Sequence, residues 1–249
     1  MTEQFEVEGW QAYRMNWRRP HRSLEPLDDE IEVIDRALDA LVAWGVLPHA
    51  HYDKASFAAH RRAVRERFDI PWTAISPRMQ RLLYAINAIT EPAVMVAVGI
   101  FCGNTFISNA GAAIGPGAVY EAERLVGLEI RPAEADRARR NVATMHRDGA
   151  TVDILGEDGG PWLDTFQGTI DLLYLDADGP VGRGKSIYLD LLESGLHALD
   201  TGSLVLAHNS VNAAHQLNDY LDFVRTSDRF VESVNMVVDD QGLEVSKVG

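Results

Sequence analysis

Between residues 93 and 208, short apolar runs alternate with segments whose apolar positions recur three and four residues apart. Runs near 93–98, 124–129, 151–155, 170–175 and 202–208 have the length of buried strands, and each is followed by a helical pattern. Strand and helix in alternation predict a parallel sheet with right-handed crossovers. The tail breaks that rhythm. Phe230 to Val238, the turn Asp239-Asp240-Gln241-Gly242 and Leu243 to Val248 predict a terminal hairpin, antiparallel at least in part. Together these give an α/β fold: a doubly wound, mostly parallel, seven-stranded sheet closed by a C-terminal β-hairpin.

The first 75 residues read as helical. Leu27, Ile31, Ile34, Leu38 and Leu41 follow helical spacing behind an acidic first turn of Asp28, Asp29 and Glu30, and Gly45 and Pro48 end the segment. A second helix is expected over Lys54 to Phe68, before Asp69-Ile70-Pro71 interrupts it. Ser76-Pro77 opens a third through Ala88, with proline at the favoured first position. The expected division is an N-terminal helical cap over 1–75, on the substrate side, and a ligand-binding Rossmann-like domain over 76–249.

Composition narrows the partners. The chain has 249 residues, 46% of them hydrophobic, which suits one α/β domain with an appendage. A net charge of −14 disfavours nucleic acid and anionic membranes, because both would repel such a surface. A neutral or cationic small molecule is the expected partner. Cys102 is the single cysteine, so neither a disulfide framework nor a thiolate zinc cluster is expected. No apolar run reaches membrane-spanning length, and Met1-Thr2-Glu3-Gln4 lacks a basic-then-apolar signal pattern, so the expected location is cytoplasmic.

The chemistry concentrates where strands end. Val94-Met95-Val96-Ala97-Val98 runs into Gly99-Ile100-Phe101-Cys102-Gly103-Asn104-Thr105, a buried strand, a glycine turn and a helix N-terminus with free N–H groups. Glu129 closes the next apolar run, where α/β nucleotide folds hold a ribose diol. Gly156-Glu157-Asp158 follows the third run and Asp176-Ala177-Asp178 the fourth. Such a set points to an adenosine-like cofactor. The Gly99-x-x-x-Gly103 spacing lacks the tight Gly-x-Gly-x-x-Gly cradle of nicotinamide enzymes, which counts against an NAD-dependent oxidoreductase.

From roughly Ser76 to Gly249 the chain resembles the class I S-adenosylmethionine-dependent methyltransferases, and within them the catechol and caffeoyl-CoA type of O-methyltransferase. The loop from Gly99 to Thr105, the run Ile170 to Asp178, Tyr188 with Leu191-Leu192-Glu193, and Gly202 to Asn209 carry the resemblance. It implies that Gly99 and Gly103 pass close to the methionine part of the cofactor, with Thr105 in the same loop. It implies that Glu129 accepts both ribose hydroxyls, that Glu157 or Asp158 lies near the adenine, and that Asp176 or Asp178 lies near the sulfonium and its amino acid tail. A weaker expectation carried over from the family is a homodimer.

Three positions depart from the family's pattern. Ala97 stands where an acid usually precedes the first glycine. His208-Asn209 replaces the Asp-Asn pair that, with an acid such as Asp176, holds a divalent metal. Gly179 occupies the place of a general-base lysine, and Lys185 could substitute only if the intervening loop folds back. Asp176, His208 and Asn209 could hold a transition ion, but the favoured expectation is that the metal is lost and no residue binds one. His208 then acts as a neutral base, with Asp176 and Asn209 beside it. The expected activity is metal-independent methyl transfer to oxygen or nitrogen of a small metabolite. The alternatives are a cyclase that converts the cofactor to azetidine-2-carboxylate and methylthioadenosine, an NAD-dependent oxidoreductase, and a non-catalytic cofactor-binding module.

Overall fold

In a computed structural model that describes residues 3–145 and 149–249, the apolar runs become strands of one sheet. The strands are β1 (Glu3–Glu6), β2 (Val94–Val98), β3 (Arg124–Leu128), β4 (Thr151–Leu155), β5 (Leu172–Leu175), β6 (Leu204–His208), β7 (Phe230–Val237) and β8 (Leu243–Val248). Their order is β1-β7-β8-β6-β5-β2-β3-β4. From β6 to β4 all neighbours are parallel, while β8 runs antiparallel to both β6 and β7, as the terminal hairpin predicts.

The eighth strand corrects two expectations at once. β1 adds to β7 in parallel, so the sheet has eight strands rather than seven, and the segment before residue 76 is not purely helical. Its four residues, Glu-Gln-Phe-Glu, are too short and too polar to show a period of two, and only tertiary pairing makes them a strand.

The helices fall close to their expected places: α1 (Leu27–Ala43), α2 (Lys54–Arg67), α3 (Pro77–Thr90), α4 (Asn104–Ala110), α5 (Pro132–Ala143), α6 (Gly159–Thr165), α7 (Tyr188–Gly195) and α8 (Asn218–Thr226). Local chemistry starts two of them. Asp53 accepts from the N–H groups of Ala55 and Ser56 ahead of α2, and Ser76 accepts from Met79 N–H ahead of α3. Side chains alternate across the central strands, so each strand feeds two cores. Met95, Ala97, Leu125, Tyr174 and Leu206 face the core shared with α1, α3 and α4. Val96, Val126, Leu173, Leu175 and Val205 face the core shared with α7 and α8. Among the described residues, no helix is long and apolar enough to cross a membrane.

α2 docks through a buried histidine. His60 occupies space left by the absent side chains of Gly111 and Gly117, and its Nδ1 has no partner. Burial first, and Arg61 second, lower its pKa from 6.5 to about 3. The folded value lies below the unfolded one, so His60 contributes nothing above pH 6.5 and destabilises the fold below it. The unfolded chain takes up the proton first, at a cost of up to about 1.4 kcal/mol per pH unit. His60→Phe is expected to lose that share of the pH dependence between pH 6 and 4, measured as the difference in urea-unfolding free energies from the parent protein.

Candidate active site at the carboxyl ends of the strands

Register brings the strand-end residues together. Val98 pairs with Leu128 on one side and Leu175 on the other, and Leu175 pairs with Ala207. The next residue of each strand lies in the same row, so Gly99, Glu129, Asp176 and His208 line one edge of the sheet. Between β2 and β5 the strand order reverses, and the crevice at such a switch point is where open α/β sheets bind ligands.

Gly99 has φ +85°, and a Cβ there would overlap the Cα and N of Ala177. Gly103, at φ +87°, caps α4, and a Cβ would lie 3.3 Å from Ala138 on α5. The room that both glycines leave is thus filled by protein, which gives a packing reason for residues that the sequence reading assigned to ligand approach. Between them Phe101 takes a left-handed backbone, φ +49°. Residues held in such conformations cost roughly 1–3 kcal/mol and cluster at functional sites.

Glu129 holds that loop in place. Its Oε2 accepts from Phe101 N–H at 2.8 Å, and its Oε1 accepts from the backbone N–H and Nε of Arg131, at 3.1 and 2.8 Å. The carboxylate is buried, and these three bonds leave it one free acceptor site, on Oε2. Above it Phe101 lies 4.5 Å from the ring of Trp72, and the Arg131 guanidinium stands 5.2 Å from the Phe101 ring. Ile130, next in the chain, leaves 59% of its surface exposed. The sequence reading passed over it, although an apolar residue directly after a strand-end acid was a legible signal. Trp17 lies 6.1 Å from Trp72 at the outer edge of this cluster.

The second half of the site is a polar triad. The loop after Asp178 folds back, closed by a hydrogen bond from Gly179 N–H to the Gly184 carbonyl. This brings Lys185 onto Asp176: Nζ donates to Oδ1 at 2.8 Å and to the backbone carbonyl at 3.0 Å. The condition that the sequence placed on Lys185 is met. His208 Nδ1 lies 3.3 Å from the same Oδ1, and the Tyr174 hydroxyl donates to Oδ2 at 3.5 Å. Burial pushes the Asp176 carboxyl upward, but Lys185 and His208 more than offset it, and the pKa falls from 3.8 to about 2. The carboxylate therefore adds stability above pH 4 that is lost as pH falls towards 2. Lys185→Met is expected to raise the Asp176 pKa, read by NMR titration of its side-chain carbonyl carbon.

His208 is buried, and its Nε2 has no protein partner. Asn209, at φ +71°, turns its amide group away from that row: Nδ2 donates to Asn212 at 3.0 Å and to Gln241 at 2.9 Å, and Oδ1 is buried without a partner. The remaining expected residues are more scattered. Glu157 is exposed, and Asp158 accepts from Gly160 N–H at the start of α6. Asp178 is exposed, 3.7 Å from Lys185 Nζ. Thr105 is buried in the first turn of α4. Cys102 is buried too, and burial raises its thiol pKa to about 11, the state of an inert apolar side chain.

The chain matches no protein-family model. It matches no curated protein. Solved structures do resemble it. An O-methyltransferase from Bacillus cereus in complex with SAH is 16% identical, with a TM-score of 0.58 over 88% of this chain and 97% of that one. The SAH-bound Podospora anserina methyltransferase PaMTH1 is 17% identical, with a TM-score of 0.60 over 92% and 100%. The O-methyltransferase TomG from Streptomyces achromogenes, involved in tomaymycin synthesis and bound to SAM, is 19% identical, with a TM-score of 0.55 over 86% and 98%. The chain has the fold of class I O-methyltransferases.

Proposed function

We propose that this protein transfers a methyl group from S-adenosylmethionine to oxygen or nitrogen of a small molecule, without a divalent cation. One observation carries the reading: strand register sets the glycine loop, Glu129, Asp176 and His208 side by side at the switch point. Class I methyltransferase structures with SAM or SAH bound share this fold.

The residues fit such a cofactor. Glu129 can accept the two ribose hydroxyls, one on each oxygen, once Arg131 Nε releases Oε1, and exposed Ile130 offers an apolar surface for the adenine. Arg131, which covers Glu129, moves aside in this reading when the sugar takes its place. When bound, the cofactor supplies a methyl carbon attached to a sulfonium leaving group. The chain supplies alignment and a dry pocket. Alignment of two reactants is worth roughly 7–11 kcal/mol, so a strong base is not required. Asp176 orients His208 through Nδ1, which leaves Nε2 as the atom that accepts the acceptor's proton.

The donors do not fit a hard divalent ion. Asp176 Oδ1, the oxygen such an ion would take, faces the Lys185 ammonium, which already neutralises it. The imidazole of His208 stands where a carboxylate would serve Mg²⁺ better, and the Asn209 amide is bonded elsewhere. Lys185 provides the positive charge in that position.

The test is incubation with S-adenosylmethionine alone and with a panel of phenols and amines, with and without EDTA, followed by mass analysis. S-adenosylhomocysteine that forms only with an acceptor, at the same rate in EDTA, is the expected result. Loss of turnover in EDTA overturns the metal-free mechanism. Methylthioadenosine formed without an acceptor converts the reading to cofactor cyclisation. Tight retention with no turnover converts it to a binding module. Binding of NAD in place of S-adenosylmethionine overturns the reading altogether.

A further inference from the structure

A cavity of about 330 Å³ opens between α1, α2, α3 and α4, on the sheet face that carries the N-terminal helices. None of Gly99, Glu129, Asp176, Lys185 or His208 lines it. Its volume falls in the range of small-molecule pockets. Its charge is the unusual feature. In a chain of net charge −14, five arginines line this cavity, with Glu30 as the single carboxylate.

Glu30 cannot balance them. It is buried and pairs with two guanidiniums, Arg81 Nε at 2.5 Å and Arg61 at 2.8 Å, and that triad keeps one excess positive charge. Arg61 Nε is buried with no acceptor. Both guanidiniums also flank the Phe57 ring, at 4.5 and 4.3 Å, which fixes them in place. Arg22, Arg62 and Arg65 stand at the mouth, and none has an ion pair among the described residues. Buried positive charge without a counter-charge is costly. Leu27, Val64, Ile70 and Ile107 give the wall an apolar part, and Leu27 leaves 55% of its surface open.

We infer that this cavity is a binding site for a small amphipathic anion, an aryl or alkyl carboxylate whose charge meets the arginines and whose body lies on the apolar wall. A bidentate carboxylate matches the guanidinium fork. His21, also on the wall, has its pKa lowered by partial desolvation first and by Arg65 second. The inference does not depend on the reaction proposed above. The site does adjoin it: Asn104 at the start of α4 lines the cavity and donates to Thr73, whose neighbour Trp72 packs against Phe101.

Calorimetry on the full chain tests it with three probes: 2-naphthoate, uncharged 2-naphthamide and inorganic phosphate. Naphthoate is expected to bind at one site per chain, and the other two at least tenfold more weakly. The double variant Arg62→Ala/Arg65→Ala, at exposed positions that leave folding intact, is expected to weaken naphthoate at least tenfold. Ala58→Trp, which fills the mouth from the exposed face of α2, is expected to abolish binding. Glu129→Ala is expected to leave it unchanged. No naphthoate binding to the parent protein overturns the inference. So does equal binding of the amide or of phosphate, or full binding to either cavity variant.

Discussion

Glu129→Ala is expected to weaken S-adenosylmethionine binding by on the order of 10²- to 10³-fold. Hydrogen bonds to a charged group are worth roughly 1.5–3 kcal/mol each, and a ribose diol makes two. Tenfold in affinity is about 1.4 kcal/mol, so the lower end of that sum already exceeds two decades. The variant also strands Phe101 N–H, which donates to Glu129 Oε2 at 2.8 Å and holds a left-handed turn. Glu129→Gln separates the two effects. Its amide oxygen can still accept from Phe101, but it loses the charge and one acceptor, so the loop keeps its shape while affinity falls. Titration calorimetry reads the affinities, and thermal melts report the loop. Unchanged binding in Glu129→Ala would remove the basis of the cofactor assignment.

Gly99→Ala is expected to be the most destabilising single methyl group in the switch-point loops, by roughly 2–5 kcal/mol. Left-handed backbone costs an L side chain about 1–2 kcal/mol, and overpacking against an immovable neighbour adds about 1–3. Here the neighbour is the backbone of Ala177, in the turn that also carries Asp176, so relief requires the two loops to separate. For a chain of this size that corresponds to a melting temperature lower by roughly 4–20 °C. Gly202→Ala is the control. Gly202 has φ +93° with nothing within 4 Å, so only the conformational cost applies there. Equal shifts in the two melting temperatures would show that the loops yield easily and that Gly99 is not a packing requirement.

The strands and helices were legible wherever a physical rule acts over a few residues. The buried runs around Val96, Val126 and Leu173 announce strands because both of their faces pack against helices. Asp53 and Ser76 announce helix starts because their side chains bond the next free N–H groups. The site was legible as residue types at strand ends, and Glu129 and Asp176 do stand in one row. Three features were not. β1 is four residues, three of them polar, whose partner lies over 200 positions away. The return of Lys185 to Asp176 depends on the shape of the loop between them, which no periodicity records. The excess charge around Glu30 joins residues from α1, α2 and α3 that are far apart in the chain.

By itself the sequence determined the sheet-and-helix alternation, the antiparallel tail and the acids at the ends of the strands, because burial period and capping chemistry are local. Only the tertiary structure decided what each acid faces. Glu129 meets Phe101 and Arg131, Asp176 meets Lys185 and His208, and Gly99 meets Ala177, since strand register and loop closure bring distant residues within bonding range.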